Sequence, residues 1–82
     1  MNKLKPRFKS ILKELSPKLT VTDVDQIDEL VNVGEIGVAF ENFCTQLYER
    51  DAVCSLTQVQ EIASIGKALG IKEEYWTILA AN

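Results

Sequence analysis

The sequence predicts an all-α fold, a small compact bundle of about five helices, and three observations carry that prediction. Apolar residues recur at three- and four-residue spacings through most of the chain. Proline, glycine and Ser/Thr signals cut it into helix-length pieces. Strand signals are weak: the β-branched stretch KLTVT at 18–22 is the one candidate, and a lone strand has nothing to pair with.

The helices follow in order. In the first, Leu4, Phe8, Ile11, Leu12 and Leu15 share about a third of a helical wheel, with Lys5, Lys9 and Lys13 opposite. Pro6 suits its first turn and Ser16-Pro17 ends it. The second opens at Thr22 with Asp25 three residues on, resembling a capping box, and carries Val24, Ile27, Leu30 and Val31 to a left-handed stop at Gly34. The third, from about Glu35 to Arg50, has the widest stripe: Ile36, Ala39, Phe40, Phe43, Cys44, Leu47 and Tyr48. Such breadth is expected of a central strut contacted by several neighbours. Gly37 in its first turn costs up to about 1 kcal/mol relative to Ala, and close backbone packing would explain it. Residues 51–54 read as a loop. Ser55 with Gln58 forms a second capping box, and Leu56, Val59, Ile62, Ala63, Gly66 and Leu69 line the inner face of a fourth helix ending at Gly70. Gly66 lies within that stripe, where a missing side chain permits close approach. A short last helix from about Lys72 to Ala80 carries Tyr75, Trp76 and Leu79.

Size and composition narrow the function. The 82 residues make one domain, 1–82, near the lower limit for a single unaided core. The core needs most of the apolar residues, which leaves little for an enclosed catalytic pocket. A hydrophobic fraction of 46% with 26% charged residues is a globular balance. No apolar run approaches the ~20 residues of a membrane span, and the basic N-terminus lacks the apolar core of a signal peptide. A cytoplasmic protein without membrane contact is the expectation. Histidine is absent, which removes the commonest general base and metal ligand. Cys44 and Cys54 cannot alone build a thiolate metal site; their number allows a disulfide, but a cytosolic pair reads more readily as two small buried apolar side chains. No cofactor is expected, and the missing nucleophile motif argues against an enzyme.

Three motifs are considered and set aside. Asp23 and Asp25 have the spacing that opens a calcium loop, but position five would be Ile27 and the loop glycine would be Asp28. The Gly34–Gly37 stretch has no preceding strand and no Gly-Lys, so it is a helix end meeting a helix start. Cys54-Ser55-Leu56 lacks the acidic residue of a carrier-protein attachment site, and Ser55 already caps a helix.

Charge is unevenly placed. Residues 1–18 carry six Lys/Arg against one Glu, whereas residues 19–82 carry three basic against eleven acidic side chains. An acidic body suits a basic partner better than nucleic acid, whose phosphates are recognised by Lys and Arg. On the second helix Asp25, Asp28, Glu29 and Asn32 project together opposite the apolar stripe, with Asp23 just before and Glu35 just after. This is either a solvated polar face or a docking patch for a basic partner. Tyr48 and Trp76, each with a polar tip, are the aromatics suited to an interface rim.

Two stretches go further. GEIGVAFENFCTQLYE at 34–49 and GKALGIKEEYW at 66–76 resemble the small immunity proteins of the MafI group, over roughly residues 20–80. The residues that match are Gly37, Ala39, Phe40, Cys44, Gln46, Leu47, Tyr48 and Glu49, then Gly66, Leu69, Gly70, Glu74, Tyr75 and Trp76. Lys72 departs from the family, which often has an Asp there. Such proteins guard bacteria against their own contact-delivered toxins, contact-dependent growth inhibition among them. The resemblance implies a non-catalytic inhibitor of a cognate toxin C-terminal domain, acting by covering its active site or substrate-binding surface. EndoU-type ribonucleases are among the toxins implied. The alternative is a helical adaptor or regulator of a host protein, or of nucleic acid through the basic N-terminal helix.

Overall fold

The computed structural model describes residues 3–82, and its helices are α1 (Leu4–Leu15), α2 (Val21–Asn32), α3 (Ile36–Glu49), α4 (Leu56–Leu69) and α5 (Glu74–Thr77), with a 3-10 turn at Ser16–Lys18. The all-α architecture stands. One small addition is a parallel pair of two-residue strands, β1 (Val53–Cys54) and β2 (Ala80–Ala81). Parallel strands need a crossover, here α4 and α5.

The interior is built around four aromatic rings. Phe8 meets Phe43 edge-on at 5.3 Å between centroids and Phe40 at 6.0 Å, and Phe40 meets Trp76 at 5.9 Å. Such edge-on pairs add roughly 0.5–1.5 kcal/mol each beyond area burial. Ile11, Leu12, Leu15, Ile27, Val31, Leu47, Ile62 and Ile65 complete the packing. Helix α3 is the strut, with Ala39, Phe40, Phe43, Cys44 and Leu47 all buried.

Caps set the boundaries, and one lies two residues from its expected place. Helix α2 starts at Thr20, not Thr22: the Asp23 amide donates to Thr20 Oγ1 at 3.0 Å and the Thr20 amide donates to Asp23 Oδ2 at 3.1 Å. Thr20-x-x-Asp23 has the same spacing as Thr22-x-x-Asp25, and only the earlier pair leaves its acid positioned to meet Arg50 across the fold. The KLTVT stretch is therefore a turn, a cap and the first two residues of α2. Ser55 and Gln58 form their reciprocal bonds as expected. Gly34 and Gly70 adopt φ of +87° and +72°. Helices α2, α3 and α4 all end with the same pair of bonds; for α2 these run from the Gly34 amide to the Val31 carbonyl and from Glu35 to Leu30. Asp51 (φ +52°) takes the left-handed position after α3.

The two helical glycines diverge. A Cβ at Gly66 would lie 2.7 Å from Trp76 Cε3, so α5 seats its indole against bare α4 backbone. Nothing lies within 4 Å of a Cβ at Gly37, so close packing does not account for that glycine. The last helix is shorter than expected, because the backbone after Thr77 leaves the helix to pair with β1.

Candidate partner-binding faces

The expected acidic patch on α2 divides into three groups. Asp23 is buried, caps α2 and receives a bidentate pair from Arg50, with Nε at 2.5 Å and Nη2 at 3.2 Å. That guanidinium, with the Thr20 bonds, holds the Asp23 carboxyl down at about 2 against the desolvation that opposes it. Asp23 is thus a structural residue and leaves the candidate set. Asp28 and Asn32 turn towards α1, where Lys9 Nζ lies 3.3 Å from Asp28 Oδ1 and donates to Asn32 Oδ1 at 2.6 Å. Asp25, Glu29 and Glu35 remain exposed, with no salt-bridge partner among the described residues.

Those three acids are accompanied by apolar surface. Val21 is 78% exposed, Val33 64% and Val38 49%. Val21 and Asp25 border one shallow groove, with Pro17 and Leu19. Glu29 and Val33 border another between α2 and α3, with Leu30 and Asn42. Exposed acids interspersed with exposed valines match the mixed character of non-obligate interfaces.

The two aromatics also separate. Trp76 is buried, packed on Phe40 and Gly66, and the expectation of a rim role is corrected. Its indole fills the space that Gly66 vacates, and this leaves too little ring in solvent for a partner. Tyr48 is exposed and borders a cavity between α3 and α5.

Sequence reasoning missed the partners that use up charge on the basic helix. Arg7 grips Glu61 on α4 through Nε at 3.0 Å and Nη2 at 2.8 Å, and also donates to Ser64. This contact lowers the Glu61 carboxyl below its ordinary range. Gln58 donates to Glu14. Pairs 44 to 57 residues apart leave no local sequence signal. Also missed was Ile65, fully buried on α4, whereas Leu56 lies 60% exposed.

Both cysteines are buried thiols without a disulfide. Desolvation, with Cys54 and Glu41 nearby, pushes Cys44 up to about 12, and burial also raises Cys54. Neither is a thiolate nucleophile at neutral pH. Among the described residues no helix is long and apolar enough to cross a membrane. Comparison of the chain with protein-family models, curated proteins and solved structures finds no match.

Proposed function

We propose that this protein is an immunity protein: a non-catalytic inhibitor that binds a cognate, contact-delivered bacterial toxin domain and covers its active site or substrate-binding surface. The resemblance over residues 20–80 suggests the class. The observation that supports it is the exposed surface of α2 and the start of α3, where Asp25, Glu29 and Glu35 stand among exposed Val21, Val33 and Val38. A nuclease must offer a basic surface to its phosphates, so a toxin of that class, EndoU-type ribonucleases included, is the partner this face complements. Charge would speed association and select the partner, while the valines would supply apolar contact.

The adaptor reading through nucleic acid draws less support. On α1, Arg7 and Lys9 are engaged by Glu61 and Asp28, and so the strongest phosphate-binding side chain of that helix is already occupied.

The test is genetic. Induction of the gene encoded directly upstream should arrest cells, and co-expression of this protein should restore growth. Arrest that persists despite soluble, folded protein would contradict the proposal.

A further inference from the structure

The cavity between α3 and α5 holds about 240 Å³ and is lined by Cys44, Thr45, Tyr48, Glu74, Tyr75 and Ile78. Sites for small molecules and cofactors typically span about 300–1,000 Å³, so this space suits one long side chain rather than a cofactor. Its floor is the buried, protonated Cys44 thiol, which offers neither charge nor reactivity. Its mouth is apolar, with Tyr48 and Ile78 each 53% exposed. Among the described residues, carboxylates supply the charge there. Glu74 lines the cavity, and Glu41, one turn before Thr45 on α3, is close enough to act on the Cys44 thiol. Glu73 and Glu49 are exposed nearby in sequence, and among the described residues no lysine or arginine lines the space.

We infer that this cavity is a slot for an arginine side chain of the protein partner. Two tyrosine rings and a carboxylate form a combination that fits a planar guanidinium, which stacks on aromatic faces and donates a fork of N–H groups to a carboxylate. Lysine matches less well, because its compact ammonium is strongly hydrated and cannot stack as a plane. The inference rests on the proposed toxin-binding role for the partner's identity, but the slot's chemistry stands independently of it. It adds an anchor to the acidic α2 face: a long partner side chain seated in a recess, as the anchors of protein interfaces are.

Two measurements test it. The first is titration of the labelled protein with a capped Gly-Arg-Gly peptide, followed by amide chemical shifts, with Gly-Lys-Gly as control. Shifts confined to Thr45, Tyr48, Glu74 and Ile78, larger for the arginine peptide, are expected. Shifts elsewhere, equal shifts from both peptides, or none at millimolar peptide would overturn the slot. The second is affinity for the upstream gene's product: Tyr48→Ala and Glu74→Gln should each weaken it about tenfold, with Tyr48→Phe close to wild type. Unchanged affinity in both variants overturns the slot while leaving the inhibitor reading in place. Failure of the wild type to bind sinks that reading, and the peptide titration still decides the slot.

Discussion

The two faces of α3 have separate work. Its inner face, Phe40, Phe43, Cys44 and Leu47, is sealed between Phe8 of α1 and Trp76 of α5. Its outer face, Val38, Thr45 and Tyr48, stays in solvent and runs from the α2 acids at one end to the α5 cavity at the other. One helix therefore holds the fold together on one side and carries exposed surface, proposed above for a partner, on the other. Substitutions should divide accordingly: inner changes alter stability, and outer changes alter binding alone.

The largest expected effect is Phe43→Ala, which removes the ring that meets Phe8 edge-on and should cost about 3–5 kcal/mol. In a domain this small that is enough to unfold it, read as loss of a cooperative thermal transition. An unchanged Tm would break the comparison at its inner face. Next is Gly66→Ala, which forces Trp76 out of its seat and should destabilise by about 1–3 kcal/mol. Urea denaturation would measure it, and adding Trp76→Phe should recover part of the loss.

The Asp23–Arg50 pair sharpens the boundary between the faces, because it uses an acid that surface patterning alone would assign to docking. Its carboxyl is held below the unfolded value of about 3.9, so its stabilisation is present above that pH. It is lost as pH falls from about 4 towards about 2. Asp23→Asn should flatten that segment of the stability profile. A variant as acid-sensitive as the wild type would contradict the assignment. The smallest effect is Gly37→Ala, where open space and ordinary helical backbone predict a gain of up to about 1 kcal/mol. Destabilisation there would mean that the glycine meets a neighbour after all.

Much of the fold was legible because its signals are local. Helical spacing marked the core of α1, α2 and α3, the Ser55–Gln58 box opened α4, and Gly34 and Gly70 closed their helices. The position of Gly66 inside an apolar stripe signalled the close approach that α5 makes there through the Trp76 indole. What escaped was non-local or degenerate. Thr20 and Thr22 each have an acid three residues on, and only the tertiary Arg50 contact distinguishes them. β1 and β2 are two residues each and exist only because α4 and α5 bring them together. The candidate site was partly legible: Asp25, Glu29, Glu35 and Tyr48 are exposed as expected. Asp28 and Asn32 meet Lys9, and Asp23 and Trp76 belong to the structure. The α3–α5 cavity had no sequence signature, since Thr45 and Ile78 carry no pattern of their own.

The central claim is that acids outside the packed core bind a basic partner. Asp28→Lys would confuse the test by setting a lysine against Lys9, so the informative variant is Asp25→Lys with Glu29→Lys. Calorimetric titration of that double variant with the upstream gene's product is the most direct measurement. The account predicts an unchanged Tm and binding weakened by about tenfold or more. Wild-type affinity from the folded double variant would contradict it.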